Sequence, residues 1–119
     1  MVTLVPDETA TCGGMAFEIA PKHAKAVLAG LDHREKNGYE RHQEDCLLAN
    51  GKTVDCLVYL AGESNEAFLG DAPLEEIAAQ ISNASGPSGS NKEYLLKLAQ
   101  ALREHRLHDD HVFELEQLV

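Results

Sequence analysis

The Asn50-Gly51 dipeptide, between two strand-like runs, is the feature that most constrains how this chain can fold. Asn-Gly favours the positive backbone angles of a tight turn, so residues 39–61 are predicted to form a β-hairpin. The first arm of the hairpin is the more polar one. Both faces of the second arm are apolar, as expected for an interior strand, with Val54, Cys56, Val58 and Leu60 on one face and Leu57 and Tyr59 on the other.

A further strand and a helix are predicted before the hairpin. Met15, Phe17 and Ile19 alternate with the two-residue period of a half-buried strand. Pro21 ends this run and suits the first position of a helix, because its missing N–H needs no partner there. The apolar stripe that follows at helical spacing consists of Ala24, Val27, Leu28 and Leu31.

Three helices are predicted after the hairpin. Asp71 and Pro73 introduce the first helix, and Asp109 is expected to cap the last one. Ser90 and Glu93 form a capping-box pattern, so residues 85–90 are predicted to be an ordered turn that starts the middle helix. The three stripes are Leu74, Ile77, Ala78 and Ile81, then Leu95, Leu98, Ala99 and Leu102, then Val112, Leu115 and Val119. The order of elements predicts one α+β domain over residues 1–119.

The charge of the chain disfavours two classes of partner. Twenty acidic and ten basic side chains give a net charge of −10, which repels nucleic-acid backbones and anionic lipid surfaces. The chain contains no apolar run of the ~20 residues that a membrane helix needs, and its first residues lack the basic start of a signal peptide. We therefore expect a cytoplasmic protein that binds neither nucleic acid nor membrane.

The three cysteines predict no disulfide framework. Cys12, Cys46 and Cys56 make an odd count without a CxxC pair. Such cysteines are typical of small core or strand residues in a reducing compartment.

Five segments, in order along the chain, resemble the motifs of the ChaC-type γ-glutamylcyclotransferases. The first three pairs of chain and family sequences are TLVPD with TLVxD, CGGMAF with CxGxAY, and REKNGY with RExxGGY. The last two are FLGDAP with YLGxAP, and GPSGSNKEYL with GxSGxNxEYL. Asn37 stands where the family usually has a glycine. By itself, the segment around Arg34 and Glu35 is better explained as a solvated helix end with Glu35 exposed, whose basic residues favour the negative end of the helix dipole.

The resemblance implies a fold, a substrate and three site residues. The fold is a γ-glutamylcyclotransferase-like α+β structure, a small mixed β-barrel or sheet with packed helices. Glu35 corresponds to the single catalytic glutamate, and the small-molecule substrate is glutathione. Tyr94 corresponds to a tyrosine that contacts the substrate, although packing of its ring against the core is an alternative. Tyr39 is expected to orient the substrate or the carboxylate.

The implied reaction is intramolecular. The α-amine of glutathione attacks the γ-carbonyl of the same molecule, which gives 5-oxoproline and releases cysteinylglycine. Glu35 takes a proton from the α-ammonium and returns one to the leaving nitrogen. The nucleophile belongs to the substrate, so we expect neither a metal nor another cofactor.

Two alternatives and one departure from the family accompany this interpretation. His105, His108 and His111 suggest a metal site, but a helix start at Asp109 favours solvated surface histidines. Family members begin with a strand and a YGSL-type loop, which this sequence lacks, so we expect an N-terminally truncated domain with poor catalysis, low stability and an exposed sheet edge available for self-association. The other alternative is an inactive family member that acts as a binding or regulatory module.

Overall fold

The computed structural model describes residues 2–35 and 38–119, which form an α+β structure of four helices and two antiparallel two-stranded sheets. The helices are α1 (Pro21–Arg34), α2 (Leu74–Asn83), α3 (Asn91–Glu104) and α4 (Asp110–Leu118). The strands are β1 (Glu40–Leu47), β2 (Thr53–Leu60), β3 (Ser85–Gly86) and β4 (Gly89–Ser90). The predicted α+β class is confirmed.

The chain divides into two compact units. The hairpin unit consists of Val2–Pro6 and Met15–Phe68, and it contains α1, β1 and β2. The helical unit consists of Asp7–Gly14 and Leu69–Val119, and it contains α2, α3, α4 and the short β3–β4 ladder. A single domain over residues 1–119 stays a prediction.

The predicted hairpin is confirmed, with a slightly longer turn than a two-residue connection. The Gly51 N–H donates to the Leu48 carbonyl at 2.9 Å, and the Leu48 N–H donates to the Lys52 carbonyl at 2.8 Å, which leaves a three-residue loop. Gly51 has a φ of +83°, the left-handed conformation that closes such loops at little cost in glycine. The Asn50 side chain accepts a hydrogen bond from the Lys52 N–H at 3.0 Å.

Two strand predictions are wrong. Residues 15–19 form no strand, and Phe17 is 83% exposed. β2, predicted as an interior strand, pairs only with β1 within residues 2–35 and 38–119, and Leu57 is exposed. Both errors have one cause. The apolar pattern of a segment favours a strand, but it does not determine whether other strands pair with that segment, or how many do.

The helical unit carries a small apolar core, as its stripes predict. Ala99 is fully buried, and Ala78, Leu95, Val112 and Leu115 are at most 7% exposed. Around them pack partly buried apolar side chains, namely Leu74, Ile77, Ile81, Leu98, Leu102, Phe113 and Val119. Helices α2, α3 and α4 therefore each turn the predicted face inward.

Two predicted helix caps are present. The Ser90 hydroxyl accepts from the Glu93 N–H at 3.1 Å, and the Asp109 carboxylate accepts from the Val112 N–H at 3.0 Å. The Glu93 carboxylate binds Lys97 one turn along α3, so only half of the predicted capping box forms. The predicted ordered turn before α3 is confirmed by the pairing of β3 with β4.

The cysteine prediction is half right. Cys46 and Cys56 are half-buried on β1 and β2, whereas Cys12 is exposed and lies outside any strand, so its assignment as a core or strand residue is wrong. Over the part of the chain that the structure describes, no helix combines the length and the apolar character required to span a bilayer.

Candidate active site

Glu35 directly follows α1 and continues the half-buried face of the helix. Its N–H donates to the Leu31 carbonyl at 2.8 Å, which continues the helical hydrogen bonding to the last turn. The half-buried positions of this segment are Ala24, Leu28, Leu31 and Glu35, which share one helical face. Val27, predicted for this stripe, is exposed. A carboxylate thus occupies a position where the helix otherwise places apolar side chains.

A hydrogen-bonded cluster ties the last turn of α1 to the hairpin. The Tyr59 hydroxyl donates to Asp32 Oδ1 at 2.6 Å, and Arg41 Nε lies 3.5 Å from the same oxygen. Tyr59 and Arg41 are directly opposite each other in the β1–β2 register. The two strands therefore deliver a hydroxyl and a guanidinium to one carboxylate, three residues before Glu35 on α1.

Asp32 and Glu35 both affect the pKa of the Tyr59 hydroxyl. Its hydrogen bond to Asp32 is the largest cause that raises the pKa of the Tyr59 hydroxyl, followed by burial and by the Asp32 charge. The positive charge of Arg41 opposes this rise, and the negative charge of Glu35 adds to it. Tyr59 therefore stays protonated at neutral pH and remains a donor, within electrostatic range of Glu35.

Tyr39 lines an open cleft directly after this turn. Its hydroxyl donates to the Val2 carbonyl at 3.1 Å. Residues 38–40 and 64–67 enclose about 520 Å³ of this cleft. Gly38 has a φ of +87°, the left-handed conformation that favours glycine, and a Cβ at this position would lie 2.7 Å from Asn65 Nδ2, so the Asn65 side chain would also have to shift. The neighbouring family departure at Asn37 lies outside the described residues.

Tyr94 belongs to the helical unit, in the first turn of α3. Its side chain is 56% exposed, so the alternative that its ring packs into the core is wrong. Contact of Tyr94 with a substrate stays a prediction.

The three C-terminal histidines fall on different elements. His105 caps the C-terminus of α3, and His111 lies in the first turn of α4. His108, between the helices, bonds Asp110 Oδ1 through Nε2 at 2.6 Å and packs edge-on against Phe113. Among the described residues, no three His, Cys, Asp or Glu side chains are grouped so that they could hold a metal ion. A metal assay is the test of that alternative.

Comparison with known proteins decides the family. A family model for the ChaC-like proteins matches residues 1–119. The chain belongs to the ChaC-like family. This ChaC-like chain is 40% identical over 111 residues to a glutathione-specific γ-glutamylcyclotransferase of Schizosaccharomyces pombe, covering 88% of the chain and 55% of that relative. It is 52% identical over 122 residues to γ-glutamylcyclotransferase 2-1 of Arabidopsis thaliana, covering 95% of the chain and 56% of the relative.

Solved structures agree with this membership. The ChaC-like chain matches a crystal structure of the γ-glutamylcyclotransferase specific to glutathione from yeast with a TM-score of 0.70 and 34% identity. That match covers 85% of the chain and 56% of the yeast chain. The chain spans about half to three fifths of the length of the curated relatives it matches.

The sequence predicts Glu35 as a site residue, but sequence reasoning missed the cluster beside it. Asp32 had no predicted role, and Tyr59 was predicted only as an apolar residue of the second hairpin arm. The spacing of Asp32 and Glu35, almost one helical turn, was the available signal for a shared face. A hydroxyl on the apolar β2 was a second signal, since a buried tyrosine hydroxyl usually finds a partner.

Proposed function

We propose that this ChaC-like protein is a γ-glutamylcyclotransferase that acts on glutathione, with Glu35 as the general base and then the general acid. The observation that carries the proposal is that Glu35 is half-buried and continues the half-buried stripe of α1, which is otherwise apolar. The names of the relatives support glutathione as the substrate.

In the proposed reaction, the α-nitrogen of glutathione bonds to its own γ-carbon while the bond from that carbon to the cysteine nitrogen breaks. Glu35 accepts a proton from the α-ammonium and donates it to the departing nitrogen. The second proton that the α-nitrogen loses on ring closure goes to the released amine, which leaves as an ammonium, so protons balance. The products are 5-oxoproline and cysteinylglycine. The nucleophile and the electrophile share one molecule, so the main task of the protein is to hold the substrate folded. This route requires no metal and no other cofactor.

Tyr39 and Tyr94 complete the proposed substrate site. The proposed role of Tyr39 is supported by its position in the cleft formed by residues 38–40 and 64–67, which follows Glu35 along the chain. The proposed role of Tyr94 is supported by its exposure in the first turn of α3, which leaves it accessible to a ligand. Both are proposed to orient the γ-glutamyl group or the carboxylate.

Two further features belong to the proposal. A cytoplasmic location is supported by the three free cysteines, which suit a reducing compartment. Self-association is proposed through the edge of β2 that has no ladder partner among residues 2–35 and 38–119. Sedimentation at increasing protein concentration tests it, and a monomer throughout would contradict it.

Incubation of the purified protein with glutathione tests the function. We expect 5-oxoproline and cysteinylglycine in equal amounts. Glutathione acylated on its α-nitrogen is the matched control, because its blocked amine cannot attack and no product should form. Glutathione binding without product would instead support the inactive binding module, and neither binding nor product would contradict both interpretations.

A further inference from the structure

The hydrogen-bonded cluster around Asp32 joins the helix turn before Glu35 to the hairpin. We propose that Tyr59 is a positioning residue for Glu35, because its hydroxyl fixes Asp32 and thereby holds the last turn of α1 against the hairpin. This inference rests on the proposed function. It assigns to Tyr59 and Asp32 a role in the reaction without contact to the substrate.

The mechanical part of the argument follows from the chain path. Asp32 and Glu35 are separated by three residues, so their side chains are neighbours on the helix surface. Tyr59 lies 27 residues further along the chain than Asp32, on a strand fixed by its full pairing with β1. The 2.6 Å bond between the Tyr59 hydroxyl and Asp32 Oδ1 therefore links the turn that carries Glu35 to a rigid element.

The second part of the argument concerns which partner holds Asp32. Arg41 contributes little on its own, because its pair with Asp32 is 3.5 Å long and nearly half exposed on both sides. The bond from the Tyr59 hydroxyl is shorter and is charge-assisted, so it holds Asp32 more firmly.

The charged and titratable groups that act on the Tyr59 hydroxyl are Asp32 and Glu35 of α1 and Arg41 of β1. Bond and charge together raise the pKa of Tyr59, which keeps it a donor over the whole range of an activity assay. The cluster thus places a protonated hydroxyl donor and a guanidinium on the Asp32 carboxylate, in the turn that ends in Glu35.

Two substitutions separate positioning from general stabilisation. Tyr59→Phe keeps the ring and removes only the hydroxyl, so we expect kcat for 5-oxoproline formation to fall about tenfold while KM changes less than about twofold. Asp32→Asn keeps an oxygen that can accept the Tyr59 hydrogen bond, so its kcat should fall less than that of Tyr59→Phe.

The control is Asp55→Asn, which changes an exposed carboxylate on β2 and should leave kcat and KM unchanged. Circular dichroism at the assay temperature gives the folded fraction of each variant, so kcat is compared per folded molecule. If the wild-type protein is active and Tyr59→Phe has the same kcat, the positioning role alone is overturned, as it is by a loss of kcat that the folded fraction fully explains. A wild-type protein that forms no 5-oxoproline overturns the function and the inference together.

Discussion

The helical core gives the most direct prediction for stability, through the neighbouring residues Leu95 and Leu96 of α3. Leu95 is 4% exposed and packs in the cluster around the fully buried Ala99. Leu95→Ala deletes three carbons from a site closed on all sides, so the loss of transfer energy adds to the cost of a cavity. We expect the free energy of unfolding to fall by about 2–4 kcal/mol.

Leu96→Ala is the matched control, because it makes the same chemical change one residue away. Leu96 is 39% exposed, so less apolar surface is lost and the site opens to water instead of forming a cavity. We expect a loss below about 1 kcal/mol. Urea denaturation followed by far-UV circular dichroism measures both values at a common m-value.

Equal losses for the two variants would refute the assignment of the inward face of α3. A larger loss for Leu96→Ala would have the same consequence. A small loss for Leu95→Ala alone would show that the site collapses around the shorter side chain.

Three further expectations concern caps, pH and local opening. Asp109→Ala should lower the free energy of unfolding by about 1 kcal/mol, because the Val112 N–H loses its acceptor. An unchanged midpoint of urea denaturation would contradict the stabilising role of this cap. Arg103 binds the Glu116 carboxylate and lowers its pKa in the folded protein, so the ionised pair stabilises the fold. This contribution is fully present above the ordinary glutamate pKa of about 4.3 and is lost as the pH falls through the lower pKa of the folded state. Glu116→Gln should therefore flatten the loss of stability in acid, and an unchanged pH profile would exclude a contribution from this pair. Amide hydrogen exchange should be slower in α3, which has Leu95 and Ala99 buried, than in α1, which has no buried residue, and equal protection would contradict that difference.

Local signals were sufficient to predict the helices. The Ser90 and Asp109 caps and the stripes of α2, α3 and α4 depend on residues within a few positions of one another, so they can be read from a single sequence. The strand predicted over residues 15–19 failed because pairing depends on a second segment that alternation does not specify. The same limit applies to β2, whose two apolar faces do not determine how many neighbours it has.

The same distinction between local signals and long-range contacts applies to the candidate site. Glu35 was predicted because it lies inside a contiguous motif that resembles a family signature. The contact of Tyr59 with Asp32 joins residues 27 positions apart, and only the folded hairpin brings them together. Tyr94, also predicted from its motif, lies in the other unit.

Glu35→Gln tests the central claim most directly. The amide preserves the size of the side chain and cannot accept the ammonium proton, so 5-oxoproline formation should fall by at least about a hundredfold, while glutathione binding and thermal stability change little. Glu18→Gln is the control, since Glu18 is exposed in the same unit and its change should leave the rate intact. If the Glu35→Gln protein retained the rate of the Glu18→Gln protein, the base would lie elsewhere and the proposed mechanism would be wrong.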